Sequence, residues 1–273
     1  MTQKDRDLLR STFNQDAERY DRARPGYPAA LFDDLAELTS IGAGSRVLEI
    51  GPGTGQATRP LAERGCRVVA VELGADLAAL ARRNLAGFPS VDVVNAAFEA
   101  WPLPAEPFDL VLAATAFHWI DPSVRVDKIA DALRPDGFLA TVSTHHVAGG
   151  DESFFAEVQD CYVRWDPDTP TALRLKPATD IPSAHYGLDE SDRFGPATIR
   201  RYEWDSPYST AGYVDLLLTY SGHRALDPEA QRNLLDCIAK LIDTGYGGRI
   251  TKRYLTELRV AATIDPAPTA AGS

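Results

Sequence analysis

Short apolar runs, each ending in turn residues, set the pattern of the first half of the chain. Arg46 to Ile50 (RVLEI) stops at Gly51, as a buried strand running into a turn does. Gln56 to Arg64 reads as a helix closed by Gly65. Arg67 to Val71 (RVVAV) is a second strand, and Asp76 to Leu85 carries Leu77, Leu80, Ala81 and Leu85 at helical spacing. Val91 to Val94 and Phe108 to Ala114 are further strands. Ser123 to Leu133 is a helix between Pro122 and Pro135-Asp136-Gly137, and Phe138 to Val142 is a fifth strand. Strand and helix alternate with short connections, which predicts a mainly parallel sheet with helices on both faces. Ligands in such sheets sit beyond the carboxyl ends of the strands. The loops after Ile50, Val71, Val94, Ala114 and Val142 are therefore expected to share one site.

Beyond Ser143 the pattern weakens. Residues 144–196 are rich in Pro, Asp, Thr and aromatics and show little periodicity. Thr198 to Trp204 fits a strand, and Thr210 to Tyr220 and Pro228 to Asp243 fit helices. Residues 249–263 alternate as a strand does, with a helix left open. A substrate-facing cap is placed in 144–245. The tail, 265–273, lacks apolar bulk and is expected to fray.

Bulk properties narrow the function. The 273 residues suit one large α/β domain, or a core with an appended cap. No apolar run approaches the ~20 residues of a membrane span. The first ten residues lack the apolar core of a secretory signal, so a cytoplasmic protein is expected. The formal charge of −11 argues against a phosphate-rich partner such as DNA or RNA. Cys66, Cys161 and Cys237 lie far apart without metal-ligand spacing. They are expected to be reduced thiols, with no disulfide and no metal site.

The chemical signal is Glu49-Ile-Gly51-Pro-Gly53-Thr-Gly55. Glycines at alternate positions let the backbone turn tightly and approach a ligand closely. The turn joins a strand to a helix, so free N–H groups face whatever binds. Glu72, at the end of the second strand, is placed to accept hydrogen bonds from both hydroxyls of a ribose. Together they suit an adenosine-type ligand. A dinucleotide fingerprint wants glycine where this chain has Gln56, and a Walker A loop needs a Gly-Lys-Ser/Thr that is missing.

Four stretches in order carry a resemblance: YDRARPGYP at 20–28, VLEIGPGTGQATRPLAERG from 47, VVAVELGADLAALARRNL from 68, and AFHWIDP followed by ALRPDGFLA between 116 and 140. The chain thereby resembles the class I methyltransferases that use S-adenosylmethionine (SAM), and within them a type 11 group similar to the trans-aconitate methyltransferases. The resemblance covers 14–142 well. It implies a Rossmann-like, mainly parallel seven-stranded sheet with a substrate cap, divided into an N-terminal lid (1–40), a SAM-binding core (41–143), and a cap with closing strands (144–273). It implies that Glu49, Gly51 and Gly53 hold the methionine part of SAM, that Glu72 binds the ribose, and that Leu73, Ala97 and Phe98 flank the adenine. Many relatives have Asp where this chain has Ala97, so side-chain recognition of the adenine edge is in question. Thr115 and Ala116 match the loop beneath the methionine part, and Tyr20, Arg24 and Tyr27 match a lid.

Arg24 suits the SAM carboxylate, and an acceptor or a water-linked Glu49 suits its ammonium. His118 ranks first as a general base, ahead of His145 and His146, although it could simply pack beside the cofactor. The expected activity is methylation of a small molecule, on a carboxylate or hydroxyl oxygen, by a monomer or homodimer. Three alternatives stand beside it: a non-catalytic SAM-binding protein, a nucleic-acid methyltransferase, and an NAD-dependent oxidoreductase. Against the second, Ala114-Thr-Ala-Phe-His118 replaces the Asn/Asp-Pro-Pro-aromatic run of amino-methylating DNA enzymes. Against the third stands Gln56.

Overall fold

The computed structural model describes residues 16–166, 169 and 174–264, so the tail from 265 lies outside the described residues. Two helices come first, α1 (Ala17–Ala23) and α2 (Ala29–Thr39). The alternating core follows: β1 (Arg46–Ile50), α3 (Thr58–Glu63), β2 (Arg67–Glu72), α4 (Ala75–Asn84), β3 (Val91–Asn95), β4 (Phe108–Ala114), α5 (Arg125–Ala132) and β5 (Leu133–Gly150). The rest is α6 (Glu152–Glu157), α7 (Gln159–Trp165), β6 (Thr198–Ser209), α8 (Thr210–Leu217), α9 (Ser221–Ala225), α10 (Pro228–Gly245) and β7 (Arg249–Ala262).

The strands form one seven-stranded sheet in the order β3-β2-β1-β4-β5-β7-β6. Neighbours from β3 to β5 pair in parallel, and β7 runs antiparallel to both β5 and β6. This is the mainly parallel Rossmann-like sheet the sequence implied. Successive side chains of a strand face opposite sides, so strands covered on both faces read as continuous apolar runs. In β4, Leu110 and Leu112 join one core with Leu31, Leu35 and Leu61 of the helices, while Phe108, Val111 and Ala113 join the other with Phe98 and Ile129.

Three expectations need correcting. First, β5 does not end at Val142. It continues to Gly150, with His145 opposite Leu255 and His146 opposite Tyr254 of β7, so these histidines lie in a strand rather than in a loop. Second, β6 passes Trp204 and runs to Ser209. Pro207 is tolerated there because β6 is the outermost strand and no neighbour needs its missing N–H. Third, Cys161 of α7 and Cys237 of α10 form a disulfide, leaving Cys66 as a buried free thiol. The spacing in sequence hid this pair because two distant helices pack together in a separate apolar cluster with Phe154, Leu216, Leu234 and Ile238. That cluster, built from α6, α7, α8 and α10, stands over the extended part of β5 and β7. Asp227 caps α10 by accepting from the N–H groups of Glu229 and Ala230, with Pro228 in the first turn. Among the described residues no helix is long and apolar enough to cross a membrane.

Candidate active site

A cavity of about 550 Å³ opens where the carboxyl ends of β1 to β4 meet the extension of β5 and β7. At one end lies the glycine turn. Gly51, Gly53 and Gly55 have φ of +68°, +59° and +96°, values that side-chain-bearing residues rarely adopt. A Cβ on Gly51 would lie 2.8 Å from that of Ala116, so the approach to the β4 loop also requires glycine. Glu72 is only 7% exposed. Its Oε2 accepts from the Gly53 N–H at 3.0 Å and its Oε1 from the Gly74 N–H at 2.8 Å. One carboxylate thus ties the loop after β1 to the loop after β2. Leu73 is 41% exposed and Phe98 is buried, and both line the cavity beside Glu72.

Thr115 takes φ +53° at the end of β4. Its hydroxyl donates to the Ala114 carbonyl, so the Tyr27 hydroxyl, 3.1 Å away, is the donor to it. Burial raises the Tyr27 phenol above its usual value. Tyr20 lies against Gly53, and the Arg24 guanidinium sits 5.2 Å from the Tyr20 ring centre and 4.7 Å from that of Tyr220. Arg24 donates to the Thr219 carbonyl, while its buried Nε has no partner among the described residues.

The other end is built from side chains. Lys252 is 4% exposed, and its Nζ donates to the Tyr220 hydroxyl at 3.0 Å. It also stands 5.2 Å and 5.0 Å from the ring centres of Tyr220 and Tyr254. His146 meets Phe155 edge-on, and its buried Nε2 has no partner among the described residues. Burial, then the Lys252 charge, depresses His146 to about 2. His118 sits in the short turn Phe117–Trp119 and faces the cavity. Its ring is open to the cavity yet encircled by protein, and this enclosure with nearby Arg125 brings it down to about 4. Burial also lowers His145, whose Nε2 is 3.3 Å from the Ser143 hydroxyl.

The structure therefore brings Tyr20, Arg24, Gly51, Gly53, Glu72, Leu73, Phe98, Thr115 and His118 to one cavity. Glu49 and Ala97 do not line it. Glu49 is 1% exposed beneath the turn, where burial, reinforced by the charge of Glu72, raises it to about 7. The Ala97 carbonyl accepts from the N–H groups of Ala100 and Trp101, closing a turn, while neighbouring Ala96 faces the cavity. Sequence reasoning missed Lys252, Tyr220 and Tyr254. One signal was readable: in the inward series Ile250, Lys252, Tyr254, Thr256 a lysine occupies an apolar-facing place.

A family model described as a methyltransferase domain matches residues 48–141. An uncharacterised methyltransferase of Mycobacterium tuberculosis is 37% identical over 142 residues, 52% of this chain and 55% of that protein. The chain thus spans about half the length of this relative. An uncharacterised methyltransferase-like protein of Schizosaccharomyces pombe is 30% identical over 177 residues, 64% of this chain and 67% of its own length. The chain belongs to the class I SAM-dependent methyltransferases. Solved structures agree on the fold. A proposed type II methyltransferase of Anaeromyxobacter dehalogenans has a TM-score of 0.59 at 24% identity, covering 87% of this chain and 97% of its own. An N-methyltransferase of Haemonchus contortus, solved with S-adenosylhomocysteine (SAH), has a TM-score of 0.51 at 18% identity, covering 92% of this chain and 58% of its own.

The residues of this methyltransferase fit SAM. The cradle at Gly51 is one that a Cβ would fill. The buried Glu72 carboxylate stands at the tip of β2, and the Arg24 Nε lacks a partner among the described residues. Aromatic faces such as that of Tyr20 favour a cation like the sulfonium.

Proposed function

We propose that this protein moves the methyl group of SAM onto an oxygen of a small molecule held in the same cavity. One observation carries the reading: the cavity has a glycine-turn end suited to the donor and, continuous with it, a polar side-chain end suited to a compact acceptor. When bound, SAM would supply an electrophilic methyl carbon on a sulfonium, open to in-line attack by an acceptor oxygen lone pair, with the sulfur leaving as a thioether that keeps the C–S pair.

In this reading Glu72 holds the ribose hydroxyls, and Leu73 and Phe98 pack on the adenine, whose edge meets main chain near Ala96 rather than an acidic side chain. The Gly51 and Gly53 backbone and Thr115 support the methionine part, and Arg24 pairs with its carboxylate. Helix α1 covers this end. It is tied to α8 by the ion pair of Arg19 with Asp215, and to α4 by that of Arg83 with Glu18. Holding the two reactants in line and excluding water supplies most of the rate. His118 is neutral at pH 7, so it accepts a hydrogen bond from the acceptor and orients it. With a pKa of about 4 it takes a full proton poorly, which favours an acceptor oxygen that reacts without strong base catalysis.

The test is transfer of labelled methyl from SAM to a metabolite extract freed of macromolecules. Label in a small molecule, lost in Glu72→Ala, supports the reading. SAH binding without any transfer would instead mark a SAM-binding protein, and label appearing only with added nucleic acid would move the substrate class.

A further inference from the structure

Two cations, Arg24 and Lys252, flank Tyr220 inside the cavity, and neither forms an ion pair among the described residues. Lysine is among the residues least often buried without a partner. Among the described residues Lys252, 4% exposed, is offered only the Tyr220 hydroxyl and the rings of Tyr220 and Tyr254. Taking an ammonium out of water costs several kcal/mol unless a counter-charge is met. A ligand that brings a negative charge would meet it.

The two cations stand at different depths. The contacts run in order from Gly53 to Tyr20, Arg24, Tyr220, Lys252 and Tyr254. Arg24 is on the donor side, beside the residue that touches the glycine turn. Lys252 follows Tyr220 in that series, at its hydroxyl, and its charge acts on His146. The unpartnered Nε2 of His146 is a second polar group there awaiting a ligand.

Resting on the methyltransferase reading above, we propose that Lys252, with Tyr220 and His146, forms a subsite for a carboxylate group of the methyl acceptor. The ammonium pairs with the carboxylate in a charge-assisted hydrogen bond, and the acceptor is thereby anchored with its reacting oxygen toward the donor side. The field there supports it. Burial alone would raise the Tyr220 phenol, yet the charges of Lys252 and Arg24, together with hydrogen bonds from Lys252 and Tyr254, lower it. Burial, helped by the Lys252 charge, keeps His146 neutral, so it offers a hydrogen bond without adding charge. A carboxylate in this place neutralises what the folded chain leaves unbalanced, and an amide of the same shape does not. Selection between two such ligands is then a matter of charge more than of size.

The experiment uses the full chain saturated with SAH. Binding of matched pairs (succinate and succinamide, benzoate and benzamide, phenylacetate and phenylacetamide) is followed by calorimetry and by the shift in Tm. At least one carboxylate is expected to bind about tenfold or more tightly than its amide. Lys252→Met, close in length and apolar, should erase that preference while SAH binds within about threefold of wild type, and Lys252→Arg should keep part of it. The proposal is overturned if no carboxylate exceeds its amide, or if Lys252→Met keeps the preference. It is also overturned if Lys252→Met weakens SAH about tenfold, which would make Lys252 the clamp of the donor's own carboxylate. The wild-type comparison of acid with amide stands even if a variant fails to fold. Failure of SAH to bind the wild-type chain would be a separate result, and would sink the methyltransferase reading itself.

Discussion

The two ends of the cavity are made by different means. The donor end is built mostly by backbone: positive φ at Gly51, Gly53 and Gly55, the bend at Thr115, and one carboxylate, Glu72, tying two loops through their N–H groups. All of it lies within β1 to β4 and their short loops. The far end is built by side chains from places far apart in sequence, among them His146, Tyr220, Lys252 and Tyr254. It stands under a helical cluster with its own core and its own disulfide. The contrast suggests a division of labour. Backbone geometry, which tolerates little variation, serves the ligand common to the family, and replaceable side chains serve the acceptor.

The comparison breaks first, and by the largest margin, if the helical cluster and the donor end are not separable. Cys161 and Cys237 close a loop of 76 residues, and removing that cross-link is expected to cost about 4 kcal/mol by the loop-entropy argument. Urea unfolding of the Cys161→Ser, Cys237→Ser double variant measures this, and SAH affinity should stay within about threefold of wild type. A parallel collapse of SAH binding would show the ends to be one unit.

Glu49 sharpens the picture from beneath the turn. Its folded pKa of about 7 lies above its ordinary value of 4.5. Between those values the unfolded chain has released a proton that the folded chain keeps, so this group's contribution falls as pH rises from 4.5 to 7 and is level above. Glu49→Gln should remove that slope and raise stability at pH 8 by up to about 3 kcal/mol. Unfolding free energies of both proteins at pH 5 and pH 8 check the sign.

A smaller effect is expected at Glu72, and it falls on the donor end alone. Glu72→Ala removes the acceptor for two backbone N–H groups as well as the proposed ribose contact, and SAH should bind about 50- to 100-fold more weakly by calorimetry. Smallest is His118→Gln. If His118 orients rather than deprotonates, kcat should fall by less than about tenfold. With its pKa near 4, the wild-type rate should show no break from this group between pH 5.5 and 8. A large loss together with a break near neutrality would restore His118 as the base.

What was legible followed the same line. Strands β1 to β4 lie between two apolar layers, so their runs are unmistakable and their ends fell within a residue or two of expectation. The glycine turn was legible because φ above zero demands glycine. The continuation of β5 was not, because Ser143, Thr144, His145 and His146 line a polar cavity and therefore look like a loop. Residues 249–263 stayed ambiguous until pairing with both β5 and β6 settled a strand. Ala97 closes a turn with its carbonyl while its neighbour Ala96 lines the cavity, a one-residue distinction that no sequence pattern carries. The helical cluster and its disulfide depend on contacts between segments 76 residues apart, which no local pattern carries.

The most direct measurement is a crystal structure of the SAH complex. The account predicts the ribose hydroxyls within hydrogen-bond distance of the Glu72 carboxylate, the ligand's carboxylate on Arg24, and the sulfur facing the Lys252 side of the cavity. Adenine lodged among Tyr220, Lys252 and His146, with the glycine turn left to water, would contradict it.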